Sequence, residues 1–530
     1  MSETDPAPVS VAPAPRLFRG ERAGPALGVY LPAMAVFRFV GLVRNVVLAW
    51  FIDKSQFGLL LLALLIVNVL APITSLSLHE AVTRYAPMFE RRGALRWYLR
   101  RVVPMLLVIA LTTTALLAMT AHPVGNWLFR SLQTAPMSAA TSPGVLAGGE
   151  IAVLTRWVAA TLFALAAYNF VMGALRGLRM FRALSLMELT QTVLFTGGAI
   201  AVACFGRASA RTIVLTYLAA LVVATSVFGL ALRRRVRGWS EQQAALTDRE
   251  RVVGRMLRFS VWTAIAAVAW QTLQIYPTWY LNKVHGHEAI AVFGGMRTIA
   301  QGVLLAATPV ITVVMTMVTR AWEAEGREAA DRRFRLAFKA TVLVLLAGSA
   351  VVAALRHPIM RLFPASYGQG AVVAQPLLLF FLLAADLTFL SIQFSLIEKT
   401  RLLMWPWAVG VAANVVMAWL WVRPAGAGRR LSISEQLMPT AQVGVVAMAA
   451  ALVVCLLLLR VERRRVDRGS WVVMAAGFAL CLPWQTGLLV AAGLLLLARP
   501  LVFTREEAAA LREHAARLCG FVRRQVYRRI

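Results

Sequence analysis

Apolar runs of about twenty residues recur from one end of this sequence to the other, and between them lie arginine-rich stretches or short stretches rich in Gly, Pro and Ser. At 1.5 Å per residue, a helix of that length matches the ~30 Å hydrocarbon core of a bilayer. The weak ten-residue alternation of a membrane β-barrel is absent. The pattern therefore predicts an all-α polytopic membrane protein with about 14 transmembrane helices. Twelve continuous spans are expected at 33–51, 57–79, 102–119, 151–172, 184–205, 212–232, 260–281, 289–318, 334–355, 372–397, 402–422 and 438–459. A further run, 471–498, is broken at Pro483-Trp484-Gln485 and reads as two short spans or one re-entrant pair, two being favoured.

The segments between the spans carry their own signals. The Pro-, Ser-, Gly- and Ala-rich stretch 120–150 is the longest expected outside, too modest for a catalytic domain. The longest inside loop contains Thr247 and Glu250, a capping-box pair opening a surface helix with Val252, Val253, Met256 and Leu257. Thr504 and Glu507 repeat the pattern at the start of a tail that places Leu511, Leu518 and Val522 near one face among arginines.

Composition agrees with the pattern: 59% of residues are hydrophobic and 15% charged, with mean hydropathy +0.70. The formal net charge of +31 would point to nucleic acid in a soluble protein. Here the basic residues are spread over many loops, chiefly on one side, as the positive-inside rule requires. No nucleic-acid partner is expected. The asymmetry places both termini in the cytoplasm and the protein in the cell inner membrane, with anionic phospholipid headgroups as partners of the basic loops. None of the four cysteines (Cys204, Cys455, Cys481, Cys519) falls in an external loop, so no disulfide framework is expected. Residues 1–25 contain no apolar core and do not read as a cleavable signal peptide.

Five of the charges within spans are candidates. Arg38 and Arg44 lie in the first, Glu188 in the fifth, Arg297 in the eighth and Asp386 in the tenth. Charge at that depth is costly and by default faces a protein interior or a water-filled cavity. Arg38 and Arg44 are six apart, ~120° around an ideal helix with ~9 Å of rise, and Gly41 between them permits a bend. They contact an anionic substrate or brace the bundle by pairing with Asp386 or Glu188. Arg297 contacts substrate or snorkels to the outer interface. Asp386 and Glu188 read as coupling or charge-balancing residues, with neutralisation of an arginine preferred for Asp386. Glu80 and Arg84, four apart, read as a gate-side ion pair. His79 reads as an interfacial histidine. Trp262, Trp270, Trp279 and Tyr280 read as packing and belt residues, with stacking on sugars the alternative.

An internal repeat organises the spans. Phe57-Gly58 and Val82-Thr83-Arg84 are matched at the same separation by Phe293-Gly294 and Val318-Thr319-Arg320. Both halves start inside, which makes them parallel repeats about an axis along the membrane normal. The expected organisation is a cytoplasmic tail (1–27), a six-helix lobe (28–238), a linker helix and second six-helix lobe (239–460), two further transmembrane helices (461–502) and a basic amphipathic cytoplasmic tail (503–530). The two lobes would enclose a central cavity.

The ordered set from Arg38 through Leu48-Ala49, Phe57-Gly58 and Thr83-Arg84-Tyr85, together with LFPASYGQGAVVAQPLLLFF, resembles the multidrug/oligosaccharidyl-lipid/polysaccharide exporter superfamily over nearly the whole chain. The polysaccharide branch is favoured. Its members flip undecaprenyl-diphosphate-linked oligosaccharide to the periplasmic leaflet, which implies that lipid-linked glycan as substrate and a polysaccharide polymerase complex as a partner. The lipid II flippases are similar in carrying two arginines six apart in span 1 and another in span 8, the arrangement that Arg38, Arg44 and Arg297 match. The multidrug branch ranks lower, because acidic residues are scarce in the spans of the N-terminal half. A membrane glycosyltransferase or polymerase ranks lowest. The sequence has no Asp-x-Asp, HExxH, GxSxG, Cys-x-x-Cys or P-loop pattern, so no enzymatic activity, metal or cofactor is expected.

Overall fold

A computed structural model describes residues 23–91, 93–129, 148–206, 208–237, 249–397, 399–422, 433–464, 466–504, 507 and 509. Thr247 and the tail face of Leu511, Leu518 and Val522 lie outside these residues. The helices are α1 (Ala23–Phe51), α2 (Lys54–Ser75), α3 (Leu78–Arg91), α4 (Leu95–Met119), α5 (Ala121–Phe129), α6 (Gly148–Gly177), α7 (Phe181–Cys204), α8 (Ala210–Arg237) and α9 (Arg249–Ala300). There follow α10 (Gly302–Ala324), α11 (Arg327–Ala354), α12 (Arg356–Met360), α13 (Ala374–Leu396), α14 (Met404–Trp421), α15 (Ile433–Val461), α16 (Arg468–Gly477), α17 (Trp484–Leu497) and α18 (Arg499–Val502). No strand occurs among the described residues.

Ten helical runs are long and apolar enough to cross a membrane, and Phe39–Phe51, Arg468–Cys481 and Trp484–Leu497 are shorter apolar helices. One of the ten, Met256–Ile311, folds back at Gly286. Every span expected from the sequence thus has a helix, and the chain is an all-α, multi-pass membrane protein.

Several boundaries differ from expectation. The run 57–79 breaks after Ser75. Pro72 removes one rung of the helical ladder, Ser77 N–H closes back on Pro72 O at 3.1 Å, and Leu76 and Ser77 are left-handed at φ 46° and 47°. This is a Schellman-type ending built without glycine, which costs each residue about 1 kcal/mol or more. Residues 121–129 form α5 rather than loop. From Arg249 onward the expected surface helix is simply the start of α9, continuous with span 7. Gly286 adopts φ 78°, which a side chain would resist, and divides α9 into two arms. Span 8 then passes through a single turn residue, Gln301, into α10.

By contact the chain forms two compact units, one from Met1–Thr298, Arg361–Gly370 and Asn414–Thr440, the other from Ile299–Met360, Ala371–Ala413 and Ala441–Ile530. In the first unit, α6 packs on α2, α3, α4, α5 and α8, and α7 joins α1 to α8. Close helix crossings depend on small residues. A Cβ on Gly173 would collide with the His79 carbonyl, and one on Gly177 would sit 3.1 Å from the Val82 and Thr83 carbonyl oxygens. Thr83 Oγ1 completes the crossing by donating to His79 O at 2.9 Å and Gly173 O at 3.1 Å. The repeated Phe-Gly pairs make a second crossing. A Cβ on Gly58 would strike the His287 carbonyl, and one on Gly294 would strike Leu61 Cδ1. Lys54 pairs with Glu288 at 3.6 Å beside it.

In the second unit, α11 packs on α10, α13, α16 and α17. Phe334, Phe338 and Phe389 interlock edge and face with centroids 5.8–6.5 Å apart. Trp484–Leu497 has 14 residues, which makes it ~21 Å long, short of the ~30 Å core. Its turn is tied by Gln375 Nε2 donating to Leu482 O at 2.6 Å. Lys339, 1% exposed, is held by Asp467 at 3.1 Å and Glu507 at 2.7 Å. The Thr504–Glu507 capping box is formed as the sequence predicts: Thr504 N–H donates to Glu507 Oε2 at 3.0 Å and Glu507 N–H to Thr504 Oγ1 at 3.2 Å. Arg464 pairs with Asp331 at 2.9 Å, and Lys399 with Glu462 at 2.5 Å.

Candidate functional site

Two of the intramembrane arginines, Arg44 and Arg297, are held by neutral groups. Arg38 lies on α1, and its side chain is outside the described residues. Arg44, two turns on, is half-buried. Its Nε and Nη2 donate to Asn45 Oδ1 at 3.3 and 3.1 Å, and its guanidinium lies 4.1 Å over the Phe195 ring of α7. Phe195 in turn rests on Tyr217 of α8, with centroids 4.7 Å apart. No carboxylate pairs with Arg44 among the described residues. Flat stacking on an aromatic face suits a guanidinium and leaves its charge uncompensated.

Arg297 is buried deeper, at 6% exposure, so it does not snorkel. The fold of α9 at Gly286 turns the second arm back along the first and brings Arg297 to Thr278, where Nη1 donates to Oγ1 at 2.7 Å. Nη2 is buried without a hydrogen-bond partner among the described residues. A charged donor left open in a low-dielectric interior is costly, and an anion's oxygen would satisfy it.

The acidic candidates differ from one another. Asp386, on α13 in the second unit, is 1% exposed, and neither carboxylate oxygen has a hydrogen-bond partner among the described residues. Glu188 is half-buried on α7. Glu80 lies 3.8 Å from Arg176 of α6 and 3.5 Å from His79. The Arg84 guanidinium sits over the rings of Phe259 at 5.0 Å and Tyr85 at 5.8 Å. Among the described residues no group of His, Cys, Asp and Glu is placed to hold a metal ion.

Sequence reasoning missed three features. Thr278 as the Arg297 partner has no spacing signature; only the recognition of Gly286 as the turn of a hairpin would have paired them. Lys283, 8% exposed with its Nζ 5.5 Å from the Trp279 ring, hid among ordinary loop-end cations. Tyr367, 2% exposed, has a buried hydroxyl without a hydrogen-bond partner among the described residues; its ring meets Phe57 edge-on at 6.0 Å and stacks on Phe363 at 5.9 Å.

No protein-family model matches the sequence, and no curated protein matches it. Solved structures do. A multidrug-resistance MATE family transporter of the MOP superfamily, in its inward-facing conformation, is 15% identical with a TM-score of 0.60, over 84% of this chain and 99% of that one. A MOP superfamily transporter from Pyrococcus furiosus, described by the reversed polarity of its binding pocket, is 17% identical with a TM-score of 0.59, over 84% and 98%. The lipid II flippase MurJ, in an inward closed conformation, is 12% identical with a TM-score of 0.62, over 90% and 100%. The chain therefore has the fold shared by MOP superfamily transporters and MurJ.

Proposed function

We propose that this chain is a flippase that moves undecaprenyl-diphosphate-linked oligosaccharide from the cytoplasmic to the periplasmic leaflet of the inner membrane by alternating access. One observation carries the reading: Arg297, deeply buried, keeps a guanidinium nitrogen without a hydrogen-bond partner among the described residues. A brace would have that nitrogen paired, whereas a site awaiting a diphosphate would not. Arg44, without a carboxylate partner among the described residues, is the second cation, and Arg38 the third. The diphosphate head enters from the cytoplasm, the lipid tail stays in the bilayer, and lobes 28–238 and 239–460 rock about the cavity. Residues 461–502 add two further membrane helices, and 503–530 rests on anionic phospholipid. Glu80 and Arg84, near Arg176 and Phe259, lie on the cytoplasmic gate. A polysaccharide polymerase complex receives the product.

Asp386 supports ion or proton coupling over the brace, because neither of its oxygens is hydrogen-bonded among the described residues. The same carboxylate is what a cation antiporter would need, and this keeps the multidrug reading as the second. A lipid II flippase would use the same diphosphate chemistry on the same lipid.

The test is the leaflet in which the lipid-linked oligosaccharide accumulates, read by external lectin or glycosidase in a deletion strain carrying each variant. The intermediate should stay inside in the deletion strain and with Arg44→Ala or Arg297→Ala, and Arg44→Lys should restore it in part. Normal outward appearance without the protein would sink the reading. Trapped lipid II instead would identify the substrate as the peptidoglycan precursor.

A further inference from the structure

The last turns of the first arm of α9 carry a continuous stripe of rings, Tyr276, Trp279 and Tyr280, at the spacing that puts residues on one helical face, with Lys283 next along it. Tyr276 stacks on Tyr280 at 6.1 Å, nearly parallel at 18°, and tilts against Trp279 at 5.7 Å. Trp127, contributed by α5, rests on Trp279 at 5.2 Å. Asn282 Nδ2 donates to Phe129 O at 3.3 Å and so pins the end of α5 to this arm. Lys283 holds its ammonium 5.5 Å from the Trp279 ring. The cluster is thus assembled from two elements and fixed at both, and one edge of it, Trp127, is 62% exposed.

A belt of interfacial aromatics would look different in one respect. Belt tryptophans keep the ring in the hydrocarbon and the indole nitrogen toward headgroups and water. Here Trp279 Nε1 is buried and has no hydrogen-bond partner among the described residues, and the same holds for Asn282 Oδ1 three residues on. One is a donor and the other an acceptor. A simple anion would use donors only. A pyranose presents flat C–H faces for rings, and hydroxyls that both give and accept hydrogen bonds.

We infer that Trp127, Tyr276, Trp279, Tyr280 and Asn282 form a saccharide platform, which takes the first sugar of the lipid-linked glycan by stacking and by hydrogen bonds from Trp279 Nε1 and to Asn282 Oδ1. This rests on the flippase reading and extends it. Thr278, the residue beside Trp279 in sequence, holds Arg297 of the second arm, so diphosphate on that arginine would lie beside the arm that carries the rings. The platform selects for the presence of a sugar on the lipid, not for a particular glycan, because ring stacking tolerates many pyranoses.

The test measures binding of two probes to the full-length protein in nanodiscs: undecaprenyl diphosphate alone, and undecaprenyl diphosphate carrying one N-acetylhexosamine. The wild type should prefer the glycosylated probe about tenfold, the weight of one well-stacked ring with its hydrogen bond. Trp279→Ala should lose most of that preference, Trp279→Phe should keep roughly half of it on a logarithmic scale, and all variants should bind the bare diphosphate lipid as the wild type does. Trp127→Ala, at an exposed position, should also weaken the preference and covers the case in which Trp279→Ala fails to fold. If the Trp127→Ala and Trp279→Phe variants keep the full preference, or the wild type shows none, the platform is wrong and the flippase reading stands. If the wild type binds neither probe, both fail together.

Discussion

Replacing Arg297 with methionine should make the resting protein more stable and, under the proposed function, abolish flipping. The side chain is 6% exposed and, among the described residues, makes one hydrogen bond to a neutral hydroxyl, with Nη2 unpartnered. A hydrogen bond to a charged group contributes about 1.5–3 kcal/mol. Against it stands the cost of holding an ion out of water without a counter-charge, several kcal/mol even after relaxation. Methionine fills much of the same volume, avoids the desolvation and leaves only Thr278 without its partner. Threonine hydroxyls within helices commonly turn to the carbonyl one turn back, as Thr83 does toward His79, so that loss is small. The balance favours the variant by about 1–4 kcal/mol, the range found when buried ionic groups are replaced by apolar ones.

The assay is thermal unfolding of purified protein followed by tryptophan fluorescence, with and without undecaprenyl diphosphate. The variant should unfold at a higher temperature than wild type in the absence of lipid. Lipid at 100 times its Kd should stabilise the wild type by about 2.7 kcal/mol and leave the methionine variant unmoved. Arg297→Lys should respond to lipid weakly, because an ammonium offers a point charge and not a fork. A methionine variant that unfolds below the wild type would show that Arg297 is a structural brace. An undiminished lipid response would show that the diphosphate binds elsewhere.

Four other perturbations follow from the geometry. Gly58→Ala sets a methyl group against the His287 backbone carbonyl, whereas Gly294→Ala meets only the movable end of Leu61. The first should cost about 1–3 kcal/mol and lower disulfide cross-linking between Lys54→Cys and Glu288→Cys; the second should do neither, and equal effects would refute the crossing as drawn. Glu507→Ala removes one charge-assisted bond to Lys339 and half of the capping box, about 2 kcal/mol, which should raise the mobility of a spin label at Ala509→Cys; unchanged mobility would mean the clasp does not hold the segment. Burial alone would raise the Asp467 carboxyl, but the Ser470 hydroxyl and the Lys339 ammonium outweigh it and hold the group below its ordinary 3.8. A depressed folded value stabilises above pH ~3.8 and is lost as pH falls through it, so a spin label at Ala509→Cys should keep constant mobility from pH 8 to about 5 and loosen only below about 4. Asp386→Asn should fold normally and abolish the dependence of flipping on the ion or proton gradient; retention of that dependence would remove Asp386 from coupling.

What could be read from the sequence was local or periodic. Spans appeared because twenty apolar residues admit few other fates in a chain this long. The Thr504–Glu507 capping box appeared because both of its hydrogen bonds join residues three apart. The paired Phe-Gly motifs pointed to glycine positions that matter, but not to the backbone and the leucine each of them meets. The break at Leu76 was invisible, since a left-handed leucine and serine contradict the usual glycine signal. The Lys339 clasp was equally hidden. Its partners lie 128 and 168 residues away, and nothing in a basic helix start marks one lysine as fully buried.

The described charges divide by how they are held, and that division carries functional information the sequence lacked. Lys339 and Arg464 are nearly inaccessible and each meets carboxylates, as a fold requires when buried cations serve structure. Arg44, Arg297 and Asp386 meet none of opposite sign among the described residues. The chain therefore has the means to neutralise buried charge and uses it around residues 331–339 and 462–467 while leaving the charges in α1, α9 and α13 open. Leaving them open costs stability in the resting state. A transporter recovers that cost each time an anionic head or a coupling ion occupies the vacancy, because the ligand then binds a site already stripped of water and of competing partners. A scaffold would have no such return. On this argument the three open charges, and not the overall charge of +31, are the residues on which transport should depend.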